Sequence, residues 1–320
     1  MIGSPTKVTI IVPIYNVEEY LSACLHSCVS QTLYDIEIIC VNDGSTDGSV
    51  RIAEAFAARD RRIQIVNKPN GGLASARNAG IEAACGEMIM FLDGDDYLQE
   101  QACERVWRET LEAPTDVVIF GTRIFPEKPR ASSWHYDVLH VRTRRYEHFT
   151  PAVLFREPAA KPFVWRQAFN RKFFQEYGLR FDERVGYGED TVFQMEAFPH
   201  GKTFSFIEDR LYNYRWYREG SLMDGFRYDL DARIRKHLSF VELITAYWKE
   251  QGWLELYGKD YVSWLMEFLV VDSCSPDAKH TDEHLRQVNA LLDRYDMRQY
   301  LNKVYPAFRT QAGIVKRAAK

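Results

Sequence analysis

Along the first hundred residues, short unbroken apolar runs alternate with segments whose apolar positions recur every three or four residues. The runs are Val8-Thr9-Ile10-Ile11-Val12, Ile36-Glu37-Ile38-Ile39-Cys40-Val41, Ile63-Gln64-Ile65-Val66 and Met88-Ile89-Met90-Phe91-Leu92. Each is too short for a helix and rich in β-branched residues, which predicts strands. From Val17 to Gln31, Tyr20, Leu21, Cys24, Leu25 and Cys28 share one side, and from Ser49 to Arg59 the pattern returns with Val50, Ile52, Ala53 and Phe56; Leu73 to Ala84 reads as a third helix. Repeated strand–helix units predict an α/β fold: a mostly parallel sheet flanked by helices, with its working loops at the carboxyl ends of the strands. The runs end in Pro13-Ile14-Tyr15-Asn16, Asn42-Asp43-Gly44-Ser45-Thr46-Asp47, Lys68-Pro69-Asn70-Gly71-Gly72 and Asp93-Gly94-Asp95-Asp96. These four polar clusters are expected to meet on one edge.

The last of them places several carboxylates where a buried strand ends. Hard oxygen ligands suit Mg²⁺ or Mn²⁺, and an ion held by one or two carboxylates keeps positions open for the phosphates of a nucleotide. A turn followed by a helix N-cap is the plainer reading of the same residues. Asp43 has two readings as well, an acceptor for an imide N–H or an Asx-turn. Gly71 and Gly72 let backbone approach a ligand closely, and Arg77 offers a planar fork of donors to phosphate or to the acidic cluster. A dinucleotide-binding Rossmann domain is excluded, because Pro-Ile-Tyr-Asn stands where its glycine-rich turn belongs. Further on, Glu189 and Asp190 open an apolar helix carrying Val192, Phe193, Met195 and Phe198. A helix N-terminus favours ionised acids there, and simple capping is the alternative.

The segments Val12 to Asn16, Asn42 to Asp47, Asn70 to Gly80 and Phe91 to Asp96 closely resemble, in order, the successive motifs of the family 2 glycosyltransferases, which have the GT-A fold. The likeness covers roughly the first 220 residues. It implies a nucleotide-sugar-binding sheet, a UDP-sugar donor and transfer with inversion. Carried over residue by residue, it implies that Asp43 contacts uracil and that Pro13, Tyr15, Asn70, Gly71, Gly72, Arg77 and Gly94 line the donor. Asp93 and Asp95 would hold Mn²⁺ or Mg²⁺, and Asp96 would lie on the acceptor side. Gly186-Tyr187-Gly188-Glu189-Asp190 resembles the family's Glu-Asp motif, with Asp190 as catalytic base and Glu189 as its neighbour at the acceptor or donor sugar. The stretch from Lys161 to Phe174 resembles the segment before that base, making Trp165 either a sugar platform or core. Tyr212-Asn213-Tyr214-Arg215 and Gly220-Ser221 resemble a loop whose Arg215 and Ser221 close over the diphosphate.

The composition narrows the setting. The chain has 320 residues, 46% of them hydrophobic, enough for a large core in two lobes. The expected division is a nucleotide-sugar-binding half over 1–110, an acceptor and base half over 111–222, and an aromatic-rich helical region over 223–320. There is no run of 18 apolar residues, and a short polar leader passes directly into the first strand, so neither a spanning helix nor a signal peptide is expected. The six cysteines lack metal-site spacing and read as reduced core thiols. A net charge of −4 argues against nucleic acid as a partner. From Leu301 onward, Lys303, Arg309, Lys316, Arg317 and Lys320 occur without an acid, so the tail is either a solvated end or a weak contact with an anionic membrane surface. With the resemblance, this implies a cytoplasmic enzyme, peripheral to the inner face of the membrane. It would move one sugar to a hydroxyl of a growing glycan of the capsule, O-antigen or lipid-linked oligosaccharide type. Two alternatives stand beside it. A sugar nucleotidyltransferase would need a basic glycine-rich loop after the first strand, and a non-catalytic glycan-binding scaffold would not need Asp93, Asp95 and Asp190.

Overall fold

Strands β1 (Val8–Ile14), β2 (Ile36–Asp43), β3 (Ile63–Lys68) and β4 (Met88–Phe91) form the parallel block β3-β2-β1-β4. Their register places Ile14 beside Asn42, Asn42 beside Asn67 and Asp43 beside Lys68. The apolar runs are continuous because the inner strands are covered on both faces; β1 is buried at every position. One face carries Leu21, Leu25 and Cys28 of α1 (Glu18–Val29) and Ala53 of α2 (Ser49–Ala57). The other carries α3 (Leu73–Ala83), whose Ala74 and Ala76 pack with Ile11 and Ile39. This helix lies very close to β1, since a Cβ on Gly80 would stand 2.3 Å from Ile11 Cγ2.

The computed structural model describes residues 5–125, 138–216, 229–270, 273–275, 278–301, 303–304 and 314–315. They belong to two units, Met1–Trp216 and Tyr217–Lys320. In the first, the sheet continues past β4 through β8 (Gln167–Asn170), which is antiparallel to both β4 and β6 (Val117–Phe125). The 12-residue β9 (Phe204–Arg215) runs parallel to β6 and also pairs with β5 (Tyr97–Leu98) and β7 (Arg144–Tyr146). Among the described residues one nine-stranded sheet runs through both expected halves of the domain, 1–110 and 111–222. Helices α4 (Ala102–Glu112), α5 (Pro151–Phe155), α6 (Arg171–Tyr177) and α7 (Glu189–Ala197) complete the unit.

The second unit is helical, as its pattern predicts: α8 (Leu230–Glu250), α9 (Trp253–Leu265), α10 (Thr281–Arg294) and the short α11 (Arg298–Leu301). Its core holds Trp248 against Tyr261, at 4.9 Å between ring centroids, and the Tyr261 hydroxyl meets Thr245 Oγ1 at 2.7 Å. Among the described residues no helix is long and apolar enough to cross a membrane. Ser221 and the tail residues Arg309, Lys316, Arg317 and Lys320 lie outside the described residues. All six cysteines are free thiols; Cys24, Cys28, Cys40 and Cys103 are buried, while Cys85 is exposed.

Candidate active site

The loops after β1 and β2 are laced together by short polar side chains. Asn16 Oδ1 accepts the Thr46 N–H at 2.8 Å, Asp47 accepts the Glu18 N–H at 3.0 Å, and Ser49 Oγ accepts the Val17 N–H at 3.0 Å. Tyr15 stands half exposed above this lacing, and Pro13 is buried in β1. The alternative Asx-turn at Asp43 is not formed; the Ser45 N–H donates to Asn42 Oδ1 at 2.9 Å. Asp43 is 3% exposed and reaches across to the next loop. Its carboxylate accepts the N–H groups of Gly71 at 2.9 Å and Gly72 at 2.8 Å, and Lys68 Nζ at 2.5 Å. Gly72 has φ +87°, a conformation open to glycine, and Asn70 is exposed beside it.

After β4, the Asp96 N–H donates to Asp93 O at 3.0 Å, closing a turn. It leads into β5 rather than a helix. Gly94 is packed inside it: a Cβ there would be 3.0 Å from Val17 Cγ2 and 3.2 Å from the Pro13 carbonyl oxygen. Asp96 is 2% exposed, and its carboxylate accepts from Tyr212 Oη at 2.7 Å and the Arg215 N–H at 2.6 Å. Burial pushes its carboxyl well up, and the charges of Asp95 and Asp93 add to the shift. Asp95 is partly exposed, and its carbonyl accepts from Arg215 Nε at 2.9 Å. The Arg215 guanidinium is flanked by the rings of Tyr20 and Phe125, 4.5 and 4.6 Å from their centroids.

The two acids at the start of α7 come to the same place. Arg77 of α3, 1% exposed, donates from Nη1 to Asp190 Oδ1 at 2.5 Å and Glu189 Oε1 at 3.1 Å, and from Nη2 to Asp93 Oδ1 at 3.2 Å. Gly188, at φ +83°, occupies the helix cap, so Asp190 does not act as one. Its second oxygen accepts the Val164 N–H at 3.1 Å. Burial pushes the Asp190 carboxyl up to about 7; Arg77 opposes the shift, while Glu189 and Asp93 reinforce it. An acid so placed is ready to take a proton near neutral pH.

A model of Glycosyl transferase family 2 matches residues 9–178. The chain belongs to this family. It is 37% identical to an uncharacterized glycosyltransferase, EpsJ, of Bacillus subtilis (strain 168) over 218 residues, 65% of this chain and 60% of EpsJ. The putative glycosyltransferase EpsH of the same organism is 33% identical over 269 residues, 83% of this chain and 75% of EpsH. The matched part thus spans less than two thirds of EpsJ. Among solved structures, S. aureus TarS 1–349 in complex with UDP-GlcNAc superposes with a TM-score of 0.76 at 19% identity, covering 98% of this chain and 88% of that one. The fold is of the GT-A type.

In this family 2 chain, three of the side chains named for the ligands are buried. Asp96, expected on the acceptor side, is buried beneath Tyr212 and the Arg215 backbone. Trp165, for which a sugar platform and core are the two readings, is 5% exposed and stacked on Tyr214 at 5.1 Å, Tyr212 at 4.6 Å and Phe163 at 5.2 Å, as a core residue is. Arg77, whose fork suits either phosphate or the acidic cluster, is buried among carboxylates. Sequence reasoning assigned no role to Lys68, Tyr20, Tyr212 or the Val164 N–H. Tyr212 and Tyr214 do carry a signal, the period-two alternation of a strand flanking the acidic turn.

Proposed function

We propose that the protein is a metal-dependent inverting glycosyltransferase that moves a single sugar from a UDP-sugar to a hydroxyl of a growing surface glycan. The observation that carries this reading is that the expected base Asp190 and the expected cation ligand Asp93 share one guanidinium, that of Arg77. Base and leaving-group acids thus belong to one site, as a single displacement requires. TarS binds UDP-GlcNAc, which favours a uridine nucleotide as donor here. Asp43 Oδ2 has lone-pair capacity left for the uracil imide, and Gly71, Gly72, Asn70, Pro13 and Tyr15 would frame the base and ribose.

Asp93 and Asp95 suit Mn²⁺ or Mg²⁺ as hard oxygen ligands: after burial, their charges are what push the Asp96 carboxyl up, and a divalent ion there would offset that charge. When bound, the ion would supply positive charge to the leaving diphosphate. Among the described residues no group of three or more His, Cys, Asp and Glu could hold a metal ion by itself. Arg215, held in place by two rings and the Asp95 carbonyl, would add its fork to the same phosphates, the role that the resemblance also gives Ser221. Asp190 accepts the proton of the acceptor hydroxyl as its oxygen attacks the anomeric carbon and UDP departs. The acceptor would be a glycan on a lipid carrier, approached from the cytoplasmic side with help from the basic tail.

The test is Asp190→Asn, which keeps shape and removes the base. UDP affinity should stay within a few-fold, while UDP release from the UDP-sugar that wild type uses best falls by about 10²–10⁴. Wild-type release should also disappear in EDTA and return with Mn²⁺. Full activity of Asp190→Asn, or of wild type in excess chelator, would defeat the corresponding part of the reading.

A further inference from the structure

Three carboxylates from two separate segments converge on the Nη1 and Nη2 atoms of the buried Arg77. The guanidinium carbon lies 5.2 Å from the Phe181 ring centroid and 6.0 Å from that of Phe91. Its helix cannot slide, because Gly80 sits directly on Ile11 of β1. At 1% exposure Arg77 has no surface to offer a bound donor. We infer that Arg77 is a positioning residue, which fixes the Asp190 carboxylate against the donor-side carboxylate Asp93 and acts on the reaction only through those acids. The inference rests on Asp190 being the base.

The geometry explains why an arginine serves there. Nη1 spans Asp190 and Glu189 on α7 while Nη2 points to Asp93 after β4, a division that a planar fork permits and a single ammonium does not. With Oδ1 of Asp190 taken by Arg77 and Oδ2 by the Val164 N–H, the carboxylate is held at both ends. Each oxygen retains a lone-pair direction for an incoming hydroxyl. The charged groups facing Asp190 are Arg77 from α3, Glu189 from its own helix and Asp93 from the turn after β4. Arg77 alone among these three stabilises the ionised base. Its loss should therefore both misplace the base and make it harder to ionise.

A double-mutant cycle of Arg77→Lys and Asp190→Asn tests this, with UDP affinity read by calorimetry and UDP release read across pH. The release assay uses water as acceptor and a panel of UDP-hexoses and UDP-N-acetylhexosamines. Arg77→Lys should leave UDP affinity within about threefold, lower turnover by about 10–10², move the acid limb of the pH profile upward, and add little in the Asp190→Asn background. If Arg77→Lys melts before assay, Glu189→Gln takes its place. That change removes a facing anion and should move the acid limb downward. A loss of UDP affinity of tenfold or more with turnover intact would make Arg77 a donor contact and overturn the inference. So would effects of the two changes that multiply, or a limb that neither variant moves. Wild-type release by Asp190→Asn would instead remove the base assignment, while the UDP affinities still decide whether Arg77 touches the donor.

Discussion

Tyr212→Phe deletes one oxygen at the centre of the acidic turn and leaves the ring. In the native chain Tyr212 Oη donates to Asp96 Oδ2 at 2.7 Å and accepts the Asp93 N–H at 3.2 Å, in a residue with no exposure. The ring keeps its stack on Trp165, so the change isolates the hydroxyl. A hydrogen bond to a charged group contributes about 1.5–3 kcal/mol, and an orphaned buried N–H costs about 1–3 kcal/mol. Asp96 retains the Arg215 N–H, so the combined loss should be about 2.5–4 kcal/mol, the lower part of the summed ranges. For a unit of this size, 1 kcal/mol moves Tm by about 2–4 °C, which predicts a fall of about 5–15 °C. Tryptophan fluorescence is a suitable reporter because Trp165 lies against the mutated ring. UDP affinity should drop with it, since the turn also carries Asp93 and Asp95. A midpoint within about 1 °C of wild type would show that water replaces the hydroxyl at both partners, and the account of Asp96 as an anchor of the turn would be wrong.

Glu196 of α7 tests the sign of a pH effect: burial pushes its carboxyl from 4.5 up to about 7, Asp182 adding to the shift and Arg184 opposing it. The folded chain therefore binds more protons than the unfolded one between those pH values, and stability falls as pH rises through that window. Glu196→Gln should raise stability at pH 8 by on the order of 1 kcal/mol and change little at pH 4, as read by melting at both; equal effects at the two would contradict it. Gly80→Ala should cost about 1–3 kcal/mol by pressing α3 off β1, and turnover should fall as Arg77 moves with the helix. Unchanged melting would refute the close approach.

The alternating units at the start of the chain were legible because each parallel strand is an unbroken apolar run and each helix keeps one apolar side. Predicted and observed limits agree closely for α1, α2, α3 and the first four strands. The far side of the sheet was harder. Strand β8 has only four residues and lies between β4 and β6, so its place is set by partners distant in sequence. A local pattern cannot say that Met88 pairs with Asn170. Nothing in composition marks a strand that joins the two expected halves of the domain, so the pairing of β8 with β4 had no local signal.

The site divides along the same line. Motif residues could be gathered from the sequence because they terminate strands that the topology aligns, but what each side chain does depends on contacts over long separations. Asp96 and Trp165 look alike in sequence to an exposed acid and an exposed ring; burial decides both, and it comes from β9 more than a hundred residues beyond Asp96. Arg77 shows the same dependence, since its sequence suits phosphate or the acidic cluster, and the partners that arrive from α7 and from the turn after β4 are what burial adds. A charged group taken out of water needs partners nearby, and a chain that buries an arginine must bring carboxylates to it. The acids at Asp93, Glu189 and Asp190 are therefore at once what the proposed chemistry requires and the condition for burying Arg77. Replacing any one of them should be expected to disturb the others, so single substitutions in this cluster are best read in pairs.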